Sequence, residues 1–373
     1  MKTASATSDD ANQSASQGST RDLVSLVSPI YNEQENLEAF YAAVDEAVAG
    51  KDFDLEFIFV NDGSRDQSEK ILNKLASLDP RMHVLSFSRN FGALSACNAG
   101  LREARGNAIV VMSADLQDPP SLIPDLVNAW RKGNEIVWAV RQTRDDPFFK
   151  RLFARAFYGV IRVLVFSDYP ENGTDCGLFG RRAVEVYNLL PERDSSPFFT
   201  FYAFGFQQTR IPYVRRARER GKSSWPFWRR VKSCIDIVTT FSYAPLRVIS
   251  ATGVAFSTIA LLYGTFLLVR RVAFGLGGEG WTSLAVLILF IGGMLALFIG
   301  IIAEYVWRIG EHTRQRPRYI IERRTGQAGK DIGTTANDPL HIDVSGMGRK
   351  PVAASGNEVV RQPHADGHPQ AAE

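Results

Sequence analysis

Histidine is scarce in this 373-residue chain: of five, only His83 precedes Trp307. A histidine-based metal site and a Ser-His-Asp hydrolase both need imidazoles in the folded part, and little material exists for either. Cysteine is scarcer still. Cys97, Cys176 and Cys234 lie far apart and match no zinc spacing. The chain therefore reads as a reduced protein without a disulfide framework. An excess of one charge is also missing: 43 Lys and Arg face 40 Asp and Glu, a net charge of +3, so no nucleic-acid partner is implied. Two short motifs lack their context. "GKS" at 221–223 would need the first glycine of a P-loop at position 216, where Arg216 stands; Gly275, Gly277 and Gly280 follow no strand of a dinucleotide fold. Residues 1–21 contain no apolar run and read as a disordered tail rather than a signal peptide, and 325–373 read the same way.

What is present is an alternation from Asp22 to about Arg141. "LVSLVSPI", "LEFIFVND", "HVLSFS", "AIVVMS" and "EIVWAV" are nearly all apolar and predict strands. Helical patterns separate them at 33–48, 66–78, 92–104 and 119–131. Asp66 is the expected N-cap of the second and Asp118 of the fourth. Apolar strands alternating with helices predict an α/β fold whose mostly parallel sheet is covered on both faces. Ligands of such sheets bind beyond the carboxyl ends of the strands.

Later segments differ in kind. Residues 147–166 form a basic amphipathic pattern, with Phe149, Leu152, Phe153, Ala156, Val160 and Leu164 on one side. This suits a helix lying in a membrane interface, or equally one packed on the core. A second such pattern covers 226–240. Residues 249–269 and 282–303 are long apolar runs without a charge, each about 31 Å as a helix, which matches a hydrocarbon core of about 30 Å. They predict two transmembrane helices in a membrane domain over 247–306, after a domain at 22–246 and before a basic juxtamembrane segment at 307–324. Arginines crowd the outer flanks, which places the large domain and both tails in the cytosol. Gly292, Gly293, Ala296 and Gly300 leave room for close helix contact in a homo-oligomer, or simply face lipid.

Glu33, Asp62, Asp115, Gln117 and Arg141 all fall at or just past strand ends. Any one acidic residue there is more often a turn residue than a ligand. Their convergence on one sheet edge favours a site, and a carboxylate, an amide oxygen and a cation suit a diphosphate with a divalent ion.

The motifs "SPIYNEQENL", "VNDGSRDQS", "SRNFGALSACNAGL", "SADLQDPP", "RERGKSSWPFWRRVKSCIDIVTTFSYAPLR" and "AEYVWRIGEHTRQRPRYIIERR" occur in order between Asp22 and Arg324. The chain resembles the family-2 glycosyltransferases with a GT-A, Rossmann-like fold, and within them the polyprenyl-phosphate glycosyltransferases. That resemblance implies roles. Pro29, Tyr31 and Glu33 match the segment lining the nucleotide. Val60 and Asp62 match the base-binding segment, with Asn61 replacing its first Asp. Ser113, Ala114, Asp115 and Gln117 match the metal-holding "DADLQ", so Asp115 and Gln117 would ligate Mg²⁺ or Mn²⁺ while Ser113 removes a carboxylate. Arg141 matches an arginine on the phosphate side. Arg218 matches one that grips phosphate, with Ser224 in place of a lysine. Asp175 matches a polar loop near the acceptor, where Gly177 and Gly180 stand in positions commonly Arg and Asp.

The implied activity is inverting transfer of one sugar from a nucleotide sugar, uridine-linked by the same resemblance, to polyprenyl phosphate at a lipid bilayer, which in a bacterium is the cytoplasmic membrane. Asp115, Asp175 and Arg218 are its expected catalytic residues. The alternatives are another lipid or glycan acceptor, or an inactive membrane-anchored relative that binds nucleotide sugar, for which Asn61, Ser113 and Ser224 would speak.

Overall fold

The computed structural model describes residues 21–142, 148–171, 173–190, 196–215, 235–274, 280–313, 317–326 and 342–343. Most of the tails read as disordered, Arg218 and Ser224, and most of the amphipathic pattern at 226–240 lie outside these residues; Ile342 and Asp343, within the second tail, instead form a strand.

Strands β1 (Asp22–Ile30), β2 (Phe53–Asn61), β3 (Met82–Phe87), β4 (Ala108–Val111) and β5 (Ile136–Arg141) alternate with helices α1 (Leu37–Val48), α2 (Ser68–Leu78), α3 (Ala93–Glu103) and α4 (Leu122–Arg131). The sequence pattern places each of these elements within a few residues. Then follow α5 (Phe148–Leu164), β6 (Cys176–Gly180), α6 (Arg181–Asn188), α7 (Pro197–Ala203), β7 (Gln208–Tyr213), a short helix α8 (235–241), the long helices α9 (Ala244–Phe274) and α10 (Trp281–Thr313), and strands β8 (Ile320–Thr325) and β9 (Ile342–Asp343).

Among the described residues the strands form one nine-stranded sheet, ordered β7-β5-β6-β4-β1-β2-β3-β8-β9. β4, β1, β2 and β3 are parallel. β6 lies between β4 and β5 and is antiparallel to both, so β5 is not the neighbour of β4. β7 runs parallel to β5, with Arg141 opposite Tyr213. The sheet is mostly parallel, and apolar side chains bury both faces: Leu26, Phe57, Phe59 and Val110 on one, Val27, Ile58, Ile109 and Trp138 on the other. The carboxyl ends of β1, β2, β3, β4, β5 and β7 share one edge, and the start of β6 at Cys176 joins them there because that strand is reversed.

Two expected caps are different in the structure. α2 starts at Ser68 behind Gln67; Asp66 instead accepts the N–H of Ser68 at 2.9 Å and that of Gln34 at 3.2 Å. α4 starts at Leu122 behind Ser121, and Asp118 is no cap at all.

On α5, Ile161 is buried and Phe157 and Tyr158 pack against the core, while Ala156, Val160 and Val163 are exposed. The helix thus has both a core-facing side and an outward apolar side. α9 and α10 are long and apolar enough to cross a membrane over Ala244–Phe266 and Phe290–Trp307. They touch through Phe256 and Phe290, ring centroids 5.9 Å apart, and otherwise expose residues such as Leu261, Leu262 and Ile299. Gly292, Gly293 and Ala296 are also exposed on α10. The chain after α10 is not merely a basic juxtamembrane segment: residues 320–325 form β8, antiparallel to β3. The segments before α9 and after α10 therefore meet in one sheet, and the two helices form a hairpin that leaves and returns on the same side.

Candidate active site

The turn after β4 carries the first set of residues. Ser113 is half-buried, Ala114 and Asp115 are buried, and Gln117 is half-buried. Leu116, between the two expected metal ligands, has φ of 57°, a left-handed backbone that side chains other than glycine adopt infrequently. In this turn the Gln117 N–H donates to Asp115 Oδ1 at 3.2 Å. Asp118, next in line, is fully buried. Tyr213 donates its hydroxyl hydrogen to Asp118 Oδ1, and Arg215 Nε approaches the same oxygen at 3.5 Å. Burial pushes the Asp118 carboxyl up, against the pull of Arg215 and Tyr213. β7 is thereby tied to the β4 turn, an arrangement that "DPP" in the sequence does not announce.

Arg141, at the end of β5, is buried and ion-paired with Asp175, the residue before β6. Burial opposes its charge, but Asp175, Tyr213 and Asp118 outweigh that and hold the guanidinium firmly protonated. Arg215 Nη1 reaches Asp175 at 3.8 Å. Arg141, Asp175, Asp118, Tyr213 and Arg215 make one network, of which the sequence pattern singles out only the first two for the site. Gly177 and Gly180, in the loop expected near the acceptor, are strand residues of β6.

At and beyond the other side of β1 stand the residues expected to line the nucleotide. Pro29 lies on β1 opposite Val60 of β2, Tyr31 is exposed, and Glu33 Oε2 accepts the side-chain N–H of Asn36 at 2.6 Å. Asn61 is buried, and its Oδ1 accepts the N–H of Ser64 at 3.1 Å. Asp62 is buried rather than open: its two oxygens accept the N–H groups of Phe91 at 2.6 Å and Gly92 at 2.9 Å. Burial raises its carboxyl to about 6, against these two donors and the charge of Arg89. Asp62 thus anchors the β3–α3 loop. The two loops are closely apposed: Gly63 has φ of +63°, and a Cβ there would collide with the backbone of Arg89 and Asn90.

Among the described residues no three His, Cys, Asp or Glu gather to hold a metal ion. A hard divalent cation that keeps several waters and takes oxygens from a diphosphate needs only one or two protein carboxylates. Asp115 with Gln117 fits Mg²⁺ or Mn²⁺ arriving with a diphosphate, and does not fit an ion caged by protein alone.

The profile of Glycosyl transferase family 2 matches residues 25–187. The bactoprenol glucosyl transferase of Shigella phage SfX is 38% identical over 302 residues, covering 81% of this chain and 99% of that protein. The prophage bactoprenol glucosyl transferase homolog of Escherichia coli K12 is 37% identical over 301 residues, covering 80% and 98%. Among solved structures, the mannosyltransferase of Pyrobaculum calidifontis in complex with GDP-Man and Mn²⁺ aligns with a TM-score of 0.45 at 19% identity, over 78% of this chain and 88% of that one.

Proposed function

The chain belongs to glycosyl transferase family 2, and from that premise we propose that it moves a single sugar from a nucleotide sugar to the phosphate of a membrane polyprenol. The observation that carries this reading is the sheet edge itself. It gathers the Asp115–Gln117 turn, the Arg141–Asp175 pair and the Asp62-anchored loop, in a chain 38% identical to a bactoprenol glucosyl transferase along 99% of that protein.

The chemistry matches the residues. An acceptor phosphate oxygen attacks the anomeric carbon, and the bond from that carbon to the diphosphate breaks, its electron pair leaving with the nucleotide diphosphate. One in-line displacement inverts the configuration. The attacking oxygen is already anionic, so no strong base is required; holding the two substrates in line is the larger task. Asp175 accordingly serves to fix the Arg141 guanidinium at the edge where β4, β5 and β7 end. Arg141 presents forked donors to phosphate oxygens, and Arg218, which the resemblance matches to a phosphate-gripping arginine, would add to them. Asp115 and Gln117 would hold Mg²⁺ or Mn²⁺. When bound, that ion neutralises charge on the departing diphosphate. Pro29, Tyr31 and Glu33 would line the nucleoside end, while Val60, buried in the core, and Asp62, bonded to the β3–α3 loop, would shape it from behind.

The hairpin of α9 and α10 anchors the domain in the bilayer. The arginines on its outer flanks favour the cytosolic side for the sheet. The exposed apolar side of α5 would rest against the interface where a polyprenyl phosphate presents its head group.

The test is direct. Purified protein given labelled UDP-glucose, Mn²⁺ and undecaprenyl phosphate is expected to form a chloroform-soluble sugar lipid, and Asp115→Asn to abolish it. Full activity in that variant would remove the metal assignment. A panel of nucleotide sugars and acceptors then identifies the sugar and the lipid.

A further inference from the structure

We propose that the chain returning from the second apolar helix is a positioning element of the nucleotide pocket, and that Tyr319 is the residue through which it acts. The proposal deepens the glycosyltransferase reading and rests on it.

Tyr319 is buried, and its ring stacks on Phe87, the last residue of β3, with centroids 4.9 Å apart and planes 13° from parallel. Phe87 in turn meets the Phe91 ring edge-on at 5.7 Å. The N–H of Phe91 then donates to Asp62 Oδ1, and that of Gly92 to Oδ2. A series of contacts thus runs from Tyr319 through Phe87 and Phe91 to the Asp62 carboxylate, beside the expected nucleoside site.

The strand that follows Tyr319 is firmly seated. The Ser88 N–H donates to the Ile320 carbonyl at 3.1 Å. Arg324 forks onto Glu103 of α3 at 2.6 and 2.9 Å, Arg323 pairs with Glu69 of α2 at 2.8 Å, and the Thr325 hydroxyl donates to Asn73 at 2.9 Å. The β3–β8 register shifts between Ser86 and Phe87. Such irregularities re-aim a side chain, and this one falls on the residue that meets Tyr319.

The β3–α3 loop is tied to the β2–α2 loop by Asp62 and by the Asn90 side chain, which donates to the Asp62 carbonyl at 3.3 Å, and Tyr319 supports it through Phe87. A polar cavity of about 370 Å³ borders Ser88, Arg89 and Asn90, between the β2–α2 loop and β8. Arg89 lies over the Phe91 ring, 4.1 Å from its centroid, so Phe91 is the loop's apolar fulcrum. The loop is fastened at the Phe91 ring by Phe87, which Tyr319 backs, and at two N–H groups by Asp62.

The sheet order separates this device from the reacting atoms. Asp62 and the loop lie on the β2 and β3 side of β1, whereas Asp115, Arg141 and Asp175 lie on the β4, β6 and β5 side. Loosening the loop is therefore expected to weaken nucleotide-sugar binding and to leave the chemical step nearly intact, the pattern of a lost ground-state contact.

The experiment compares full-length wild type, Tyr319→Ala and Tyr319→Phe in nanodiscs, by steady-state kinetics and hydrogen exchange. For Tyr319→Ala, KM for the nucleotide sugar is expected to rise about five- to tenfold and kcat to stay within about twofold, the scale of one aromatic contact. Tyr319→Phe keeps the stack and is expected to match wild type in both. The amides of Phe91 and Gly92 should exchange faster in Tyr319→Ala, while those of β1 keep their rates. An unchanged KM, a fall in kcat alone, or equal loss of protection in β1 and the loop would overturn the proposal. Should Tyr319→Ala fail to fold, Glu103→Gln loosens β8 without touching an aromatic ring; it should raise KM in the same direction, and an unchanged KM there overturns the proposal too. Were wild type to transfer no sugar at all, the glycosyltransferase reading would fall, and the exchange measurement would still decide the clamp.

Discussion

Arg141 and Asp175 form an ion pair whose two members are unequally placed: the arginine side chain is 7% exposed and the aspartate 52%. Removing one member of a pair harms most when the survivor cannot reach water. Asp175→Ala takes from a buried cation the carboxylate that pairs with it. Arg141→Met leaves a carboxylate already half in solvent. Asp175→Ala should therefore destabilise the fold more than Arg141→Met, by about 1–3 kcal/mol. Thermal unfolding of the two variants in one detergent measures this, and equal shifts would mean that Asp118 compensates Arg141 alone. Both variants should lose most sugar transfer.

Ser113 stands two residues before Asp115, where a second carboxylate would add charge to the ion's shell. Ligand charge tunes the affinity of such sites. Ser113→Asp is expected to lower the Mn²⁺ concentration for half-maximal activity by about tenfold, roughly 1.4 kcal/mol. A midpoint that does not move in the Mn²⁺ titration would show that position 113 does not reach the ion.

The parts of the fold read most readily in the sequence are those whose signal is local. β1 to β5 are apolar runs, α1 to α4 carry helical spacing, and α9 and α10 are long and uncharged at their centres. β6 has only five residues, two of them glycine, beside a polar stretch, so it looks like a loop until β4 and β5 are seen to flank it. β8 follows a run of arginines and owes its conformation to β3, where Val84 pairs with Thr325. No local pattern encodes a partner that distant. The site divides in the same way. The placement of Asp115, Gln117 and Arg141 at or just past strand ends is legible in the sequence; Asp118 looks like a cap because its partner, Tyr213, lies 95 residues away. The inward turn of Asp62 depends likewise on backbone N–H groups of a distant loop.

Asp62 supplies a pH dependence with two opposite faces. Burial raises its carboxyl from 3.8 to about 6 in the folded protein. The fold thus favours the protonated form, and this group's contribution to stability is fully present below about pH 3.8 and is lost as pH rises through about 6. Function runs the other way, because only the ionised carboxylate accepts both the Phe91 and Gly92 N–H groups without presenting a proton of its own. Between about pH 5 and about pH 7, KM for the nucleotide sugar should fall as pH rises, with a midpoint near 6. Asp62→Asn should flatten that step. Over the same range wild type should gain stability relative to Asp62→Asn on acidification. A KM profile that keeps its step in the variant would assign the titration to another group.

Leu116 places backbone strain between the two residues expected to hold the metal. Of the described non-glycine residues only Asn32 and Leu116 have positive φ, at 53° and 57°. Asparagine tolerates that conformation, whereas leucine needs surroundings that hold it there. Part of that hold is apolar, since the Leu116 side chain packs against the core beneath the sheet edge. The two demands can be separated by substitution. Leu116→Ile keeps the apolar volume but places a branched Cβ at positive φ, which costs about 1–3 kcal/mol in the turn. Leu116→Asn eases the backbone but gives up apolar burial, about 1–2 kcal/mol of overall stability. The isoleucine variant should therefore need more Mn²⁺ for half-maximal activity, because the turn that carries Asp115 and Gln117 is displaced. The asparagine variant should keep the wild-type Mn²⁺ midpoint and unfold at a lower temperature. If isoleucine leaves the midpoint unchanged while asparagine shifts it, side-chain packing rather than the left-handed backbone sets the geometry of the turn.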